Sequence, residues 1–149
     1  MANEATVNVQ ATILPDEIAK IVTGSMTIAP ADANDKWYYK KTSVANTSQA
    51  LIAGDYVDYT AVDSATGTTA VDAADKVNFL LVKNLDSTND VYITLDAGTV
   101  TTTTVDAIKI AAGHVWFGNL PNTTVADVQS ITSASTVECI VAALLDDVA

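Results

Sequence analysis

The chain of 149 residues has a formal net charge of −11, because 18 acidic residues face seven lysines and no arginine. An acidic surface repels polyanions, and arginine supplies most bidentate contacts to phosphate and guanine, so we expect no nucleic-acid partner. No apolar run approaches the roughly 20 residues of a membrane-spanning helix. Residues 1–6 also lack the basic start and the apolar segment of a secretory signal, and we expect neither a membrane partner nor export.

The first half of the chain predicts strands and one short helix. Apolar and polar residues alternate from Thr6 to Ile13, which indicates a half-buried strand. Pro15 and the two acids after it suit the start of a short helix near residues 15–23, which Gly24 ends. Further strand patterns cover residues 25–29, 36–44 and 56–62, and the stretch 63–75, which has no apolar period, predicts an exposed loop.

The second half predicts a series of short strands. Residues 77–82 form a nearly continuous apolar run, which is typical of a central strand buried on both faces. A polar turn at residues 84–90 and an alternating segment at residues 91–95 complete a predicted hairpin. Later strands are predicted at residues 108–110, 114–120 and 136–144.

Strands at short intervals, without long helical crossovers, favour an all-β fold. We expect an antiparallel β-sandwich or a jelly-roll-like barrel with at most one short helix. The length suits one sandwich domain over residues 1–149. Residues 1–5 are small and polar, and we expect them to form an N-terminal arm that becomes ordered against a neighbouring subunit.

Reactive side chains are scarce. His114 is the only histidine and Cys139 the only cysteine, which leaves too few ligands for a structural zinc site. A catalytic pair of these two residues is the alternative to a buried structural thiol in an apolar strand. The six glycines are isolated, so no phosphate-binding loop is expected. We therefore expect no catalytic residue, no metal, no cofactor and no enzymatic activity, and a carboxylate pair for glycoside hydrolysis is the alternative that 18 acids leave open.

Two acidic turns leave a calcium site as a further alternative. Residues 32–35 and 86–90 cluster oxygen donors, but neither has the twelve-residue spacing of a helix-loop-helix calcium site. Asp and Asn also favour turns by accepting hydrogen bonds from their own backbone. We interpret both segments as turns.

Aromatic residues form the candidate partner interface, because Trp and Tyr are frequent at protein interfaces. Tyr38 and Tyr39 are adjacent in a predicted strand and must face opposite sides, one toward the core and one free to contact a partner. Lysines interleave with these aromatics as in a platform for single-stranded nucleic acid, but the net charge favours solvated ammonium groups. The candidate interface residues are Trp37, Tyr38, Tyr39, Tyr56 and Trp116.

Four segments of the second half form a distinctive pattern: Val82-Lys83-Asn84, residues 90–98, the Ile-Lys-Ile-Ala-Ala-Gly of residues 108–113, and Val115-Trp116-Phe117. This pattern, within residues 77–145, resembles small virion structural proteins of tailed bacteriophages, especially those of marine cyanobacterial phages. The resemblance implies a subunit without enzymatic activity, present in many copies as a capsid decoration or cement protein, or else in the tail. It carries over no site residues.

The same resemblance implies the major capsid protein, copies of the chain itself, or both as partners. It implies a location on the virion after synthesis in the host cytoplasm. The acidic charge favours the outer capsid surface, because packaged DNA would repel it. The alternative is a tail or fibre-associated subunit that binds a host receptor or glycan through exposed aromatic residues and carboxylates.

Overall fold

The computed structural model describes residues 4–14, 20–56 and 70–148. The chain divides into two compact units, Met1–Ala33 and Asn34–Ala149. Part of the expected N-terminal arm, residues 1–3, lies outside the described residues, and Ala5 is the first residue of a strand.

The first unit contains a two-stranded antiparallel ribbon. Strand β1 (Ala5–Ile13) and strand β2 (Lys20–Ile28) pair in a continuous register, from Ala5 opposite Ile28 to Ile13 opposite Lys20. The strand predicted at residues 6–13 is confirmed, and the strand predicted at residues 25–29 is the second half of β2.

The helix predicted near residues 15–23 is wrong where the structure describes it. Residues 15–19 lie outside the described residues, but Lys20 to Thr23 belong to β2 and pair with β1. The physical reason is that Ile21, Val22 and Thr23 are β-branched and fit a pleated strand better than a helix. Pairing with β1 supplies the backbone hydrogen-bond partners that a helix would have supplied locally.

In its described residues, the second unit is an eight-stranded β-sandwich with one 3₁₀ turn, Val125–Asp127. Its strands are β3 (Asp35–Val44), β4 (Gln49–Ala50), β5 (Lys76–Asn84), β6 (Val91–Leu95), β7 (Ile108–Ile110), β8 (Val115–Thr124), β9 (Val128–Thr132) and β10 (Val137–Asp146). The first sheet has the order β3-β10-β5-β8, and the second sheet has the order β4-β9-β6-β7. The predicted all-β class is confirmed.

The strand order of the sandwich is nested. Strand β3 pairs with β10, β4 with β9, β5 with β8 and β6 with β7, all antiparallel. Two further pairings, β10 with β5 and β9 with β6, join these pairs into the two sheets. Eight strands in this order form a jelly roll. The sequence predicts either a general antiparallel β-sandwich or a jelly-roll-like barrel.

The hairpin predicted over residues 77–95 is wrong. Both strands exist, but β5 lies in the first sheet and β6 in the second, so the connection crosses from one sheet to the other. Strand β6 instead forms a hairpin-like pair with β7. The buried side chain of Asn84, at the start of this polar connection, donates hydrogen bonds to the carbonyls of Asn89 and Ile110. These bonds stabilise the passage of the chain from the first sheet to the second.

The core lies between the two sheets. It combines residues of the first sheet, such as Tyr38, Leu80 and Val141, with residues of the second, such as Ile93 and Ile110. All five are buried, and alternation along each strand delivers them to the inner face. Cys139 belongs to the same cluster.

The loop predicted at residues 63–75 needs one correction. Residues 57–69 lie outside the described residues, and with them most of the strand predicted at residues 56–62 and of the loop. Asp75, however, is fully buried, because its carboxylate accepts hydrogen bonds from the Tyr56 hydroxyl at 2.5 Å and from two backbone N–H groups. Asp75 was expected to be exposed to solvent, but it is buried, and several hydrogen-bond donors offset the cost of burying its carboxylate.

Candidate functional site

The two candidate nucleophilic-catalysis residues lie in different environments. Cys139 is buried in the sandwich core, and this burial raises the pKa of its thiol to about 11. The thiol is therefore protonated near neutral pH, in the form that is a weak nucleophile. His114 is exposed in the turn before β8, where its backbone carbonyl accepts a hydrogen bond from the Asn84 amide at 2.9 Å. Cys139 is therefore a core residue, whereas the contact described for His114 is made by its backbone.

The carboxylates of Asp86 and Asp90 in the acidic turn at residues 86–90 have hydrogen-bond and ion-pair partners within the chain. The carboxylate of Asp86 accepts hydrogen bonds from the backbone amides of Thr88 and Asn89, both at 2.7 Å, and these bonds lower its pKa. Asp90 forms an ion pair with Lys109 at 2.8 Å. Within the described residues no group of three or more His, Cys, Asp or Glu side chains is placed to hold a metal ion. The geometry of residues 86–90 is that of a turn.

The three lysines near the aromatic segment are engaged within the chain. Lys36 pairs with Asp147 and lies 5.3 Å from the centre of the Tyr56 ring. Lys40 donates to the carbonyl of Ala53 at 3.1 Å, and Lys41 lies 3.2 Å from a carboxylate oxygen of Glu138. Because each ammonium group has a different intramolecular partner, the three do not form one basic stripe along β3.

The structure separates the five aromatic residues of the candidate interface. Tyr38 and Tyr56 are buried, and the Tyr38 hydroxyl donates to the carbonyl of Ala53 at 3.1 Å, so neither ring is open to a partner. Trp116 is half-buried and packs against the core. Trp37 and Tyr39 lie on the opposite side of the first sheet. The predicted division between Tyr38 and Tyr39 is confirmed, since the Tyr39 side chain is 59% exposed.

The side of the first sheet that faces away from the core is largely apolar. The strand register sets Trp37, Leu144, Phe79 and the polar Asn119 in one cross-strand row and Tyr39, Ala142, Leu81 and Phe117 in the next. Residues opposite each other in an antiparallel pair point to the same face. A third row carries Ile140 and Val115 with two lysines. We call this surface the outer face, and it consists of Trp37, Tyr39, Phe79, Leu81, Val115, Phe117, Ile140, Ala142 and Leu144.

Exposure varies across the outer face. Phe79 and Leu144 are buried, and the Trp37 ring meets the Phe79 ring edge-on, with centroids 6.5 Å apart. Tyr39 and Val115 are the open members, with Val115 51% exposed, and the other five are half-buried. Lys41 and Glu138 form an ion pair at its border. An apolar centre with a charged border is the usual composition of a protein interface.

Most members of the outer face were not among the candidate interface residues chosen from the sequence. Leu81, Val115, Phe117 and Ile140 belong to it, but only the aromatic residues Trp37 and Tyr39 were expected. The signal that could have found them is the apolar run of β5, which predicts burial on both faces. The alternating positions of β10 are likewise apolar on both sides. Central strands that are apolar on both faces leave an apolar outer surface on the sheet, and such a surface is suited to contact another protein.

The geometry defines the class of protein as a jelly-roll β-sandwich with an apolar outer face on one sheet. No family model, curated protein or solved structure matches the chain. None of the described residues belongs to a helix long and apolar enough to cross a membrane.

Proposed function

We propose that the chain is a non-enzymatic structural subunit of a virion, most simply a decoration or cement subunit on the outer surface of a tailed-phage head. The observation that carries the proposal is the outer face, an apolar sheet surface of nine side chains on a domain whose candidate nucleophile is buried. Jelly rolls serve in viral capsids but also in lectins and cupins, so the fold alone does not select the function.

Three features support the virion assignment. The sequence pattern at residues 82–117 resembles small phage virion proteins. The charge of −11 suits a subunit kept away from packaged DNA. The outer face offers an apolar contact surface on which Tyr39 is exposed, and exposed tyrosines contribute strongly to protein interfaces. The implied partner is the major capsid protein, with the outer face as the attachment surface.

The direct test is a count of the subunit in purified virions by quantitative mass spectrometry, followed by reconstruction of the particle. The proposal expects a copy number on the scale of the capsomers and density for the sandwich on the outside of the head. A few copies at one vertex or along the tail would overturn the capsid assignment in favour of a tail subunit.

Attachment through the outer face is tested by a matched pair of variants. Tyr39→Asp places a charge on the outer face, whereas Tyr92→Asp makes the same change in β6 of the second sheet. We expect Tyr39→Asp to reduce binding to capsids stripped of the subunit by at least tenfold and Tyr92→Asp to leave it within about twofold, provided that both variants retain the wild-type circular dichroism. Equal loss in the two variants would contradict attachment through this face.

A further inference from the structure

Each strand of the β1–β2 ribbon has one hydrogen-bonding edge without a partner strand among the described residues. Strand β1 pairs only with β2, and β2 only with β1, in a sheet of two strands. All residues from Asn8 to Ile13 are exposed. A two-stranded ribbon is marginally stable in water, and a sheet of three or more strands is more stable. The free edges are therefore sites at which a further strand can add.

The edges of the two sandwich sheets are protected against such addition. Strand β3 carries Lys36, Lys40 and Lys41, and β8 has a register shift and a positive φ at Asn122. The edge strands of the second sheet, β4 and β7, have only two and three residues. Short, charged or bulged edges prevent strands of other chains from adding. The ribbon is therefore the sheet at which a further strand is expected.

The two ribbon strands differ in how well they suit this role. Strand β1 has nine residues without a charge, a proline or a glycine, and its register with β2 is continuous. Strand β2 begins with Lys20, the one charged residue of the two strands, and has Gly24 at its centre. A lysine protects an edge, and a glycine in the middle of a strand weakens it. The free edge of β1 is therefore the favoured one.

The sequence of β1 is self-complementary when two copies run antiparallel about a twofold axis at Val9. This register sets Val9 opposite Val9, Asn8 opposite Gln10, Val7 opposite Ala11, Thr6 opposite Thr12 and Ala5 opposite Ile13. Alternation alone would match apolar with apolar residues, but β1 also matches the kind of polar group, amide with amide and hydroxyl with hydroxyl. Threonines directly opposite each other stabilise a sheet. The strand that suits the free edge of β1 is therefore β1 of another copy.

Pairings that involve β2 match less well. An antiparallel pair of β2 strands centred on Gly24 brings two glycines together and sets the apolar Ile21 opposite the polar Thr27. Addition of β2 from another copy to the free edge of β1 is a head-to-tail contact, which leaves a free edge for the next copy and grows into a ring or an open filament. The β1 pair, in contrast, closes on two copies.

We propose that β1 pairs antiparallel with β1 of a second copy of this chain, about a twofold axis at Val9. The two ribbons then form one four-stranded sheet with the β1 strands at its centre and the β2 strands at its edges. Lys20 lies opposite Ile13, so the two copies of Lys20 lie on the outer strands at opposite ends of the sheet. Two chains of charge −11 repel each other least where they meet through uncharged residues, as they do along β1.

The contact consists mainly of backbone hydrogen bonds, about eight in an antiparallel pair of this length. One pair of strands buries less than the roughly 1,200 Å² that marks a stable interface. The association is therefore weak between free subunits and becomes strong when neighbouring copies are held side by side, because the effective concentration rises. This inference concerns contacts between copies and does not depend on the surface to which the sandwich attaches.

The first test places a charge on the twofold axis. Sedimentation equilibrium of the full chain, at concentrations up to about 1 mM, the range of weak complexes, is measured for the wild type, Val9→Lys, Val9→Thr and Gly24→Lys. Val9→Lys sets two ammonium groups directly opposite each other, whereas Gly24→Lys adds the same charge to β2, where a Cβ atom meets nothing within 4 Å.

We expect dimers for the wild type, Val9→Thr and Gly24→Lys, with dissociation constants within about threefold of each other, and a dissociation constant at least tenfold higher for Val9→Lys. A wild type that stays monomeric throughout, growth beyond the dimer, or equal weakening by both lysine substitutions would overturn the proposal.

The second test reads the register by disulfide trapping under mild oxidation, with the buried native Cys139 as the unreactive background. Val9→Cys sets two thiols directly opposite each other, where Cα atoms of an antiparallel pair lie about 4.5 to 5.5 Å apart, within the range of a disulfide. Val7→Cys sets its two thiols about 14 Å apart along the strands, and so does Ala11→Cys. A Val7→Cys chain, however, sets its thiol opposite that of an Ala11→Cys chain.

We expect Val9→Cys to form a covalent dimer, and Val7→Cys and Ala11→Cys to stay monomeric alone but to form a mixed disulfide when combined. Because these substitutions are small and uncharged, the result does not depend on how the ribbon tolerates a lysine. Disulfides formed equally well by Val7→Cys alone, or none formed by Val9→Cys, would refute the pairing of β1 with β1.

Discussion

The side chain of Asn84 joins the two sheets of the sandwich to each other. Its amide nitrogen donates to the carbonyl of Ile110 at 3.2 Å and to that of Asn89 at 2.8 Å, while its oxygen accepts from the Asp86 amide at 2.9 Å. Asn84 is fully buried at the end of β5 in the first sheet, and Ile110 is the last residue of β7 in the second. Two segments of the pattern at residues 82–117 therefore contact each other directly.

Replacement of Asn84 by alanine should destabilise the sandwich. The substitution leaves two carbonyl groups and one amide without their partner, and each unpaired buried group costs about 1 to 3 kcal/mol. We expect a loss of about 2 to 4 kcal/mol in the free energy of unfolding, measured by urea denaturation. Asn119→Ala, at an exposed position of β8, is the matched control and should stay within about 0.5 kcal/mol of the wild type. A loss no larger than that of the control would show that the Asn84 bonds contribute nothing net.

The Tyr56 and Asp75 pair should show energetic coupling. The Tyr56 hydroxyl donates to Asp75 at 2.5 Å, and Asp75 also accepts from the amides of Asp72 and Val148. Tyr56→Phe removes one donor and should cost about 1 to 2 kcal/mol, whereas Asp75→Ala leaves three donors unpaired and should cost about 3 kcal/mol or more. A double-mutant cycle should give a coupling of about 1 kcal/mol. Additive effects in the cycle would show that the hydrogen bond does not stabilise the fold.

The native thiol should be inert. Burial raises the pKa of Cys139 to about 11, and the side chain has no exposed surface. We expect a chromogenic disulfide reagent at pH 8 to leave the native protein unmodified and to titrate one thiol per chain in 6 M guanidinium. Rapid modification without denaturant would contradict the core position of this residue.

Stability should fall in acid through carboxylates that are hydrogen-bonded at the surface. The hydrogen bond from Lys109 lowers the pKa of Asp90, and bonds from Ser43 and Lys41 lower that of Glu138. A carboxyl group whose folded-state pKa is depressed stabilises the fold above its unfolded-state pKa of about 4 and loses that contribution as the pH falls through the folded-state value.

Asp90→Asn tests this dependence. The amide can still accept the bond from Ala112, but it removes the charge that pairs with Lys109. The variant should be slightly less stable than the wild type at pH 7, by a small amount because solvent screens the pair. The difference should shrink as the pH falls through the lowered pKa of Asp90, because the wild-type carboxyl group then becomes protonated in the folded state as well. A difference that stays constant from pH 7 to pH 2.5, followed by urea midpoints, would exclude the ion pair as its cause.

The sequence predicts the existence of strands better than their partners. Alternation, and for β5 a continuous apolar run, located β1, β3, β5, β6, β7, β8 and β10, but β9 was missed because its buried positions include Ser130 and Thr132. Their hydroxyl groups donate to the carbonyls of Gln49 and Ser135, so polar residues occupy a core face without an apolar period. The two-residue β4 is too short to show any period.

The predicted helix near residues 15–23 and the predicted hairpin over residues 77–95 are wrong for the same reason. Local sequence patterns do not show which distant strand a segment pairs with. Pro15 and the acids after it are helix-start signals, but the residues that follow pair with β1. The turn after β5 reads as a hairpin, but the buried Asn84 directs the chain across to the second sheet. The outer face depends on the same long-range information, because only the register of β10 between β3 and β5 sets Tyr39 and Leu81 in one row.

The nested strand order has a consequence for the way the chain folds. Strand β10 lies between β3 and β5 and supplies hydrogen-bond partners to both, although it is the last strand of the sandwich in sequence. During synthesis β3 therefore has no neighbour in the first sheet, and β5 can pair only with β8, until residues 137–146 have left the ribosome. Such distant pairing makes folding slow, because the entropy of closing a large loop is lost before the contacts form. Until β10 is synthesised, β3 and β5 of the nascent chain expose unpaired edges. Nascent chains on neighbouring ribosomes of one messenger RNA are then most prone to pair incorrectly with each other.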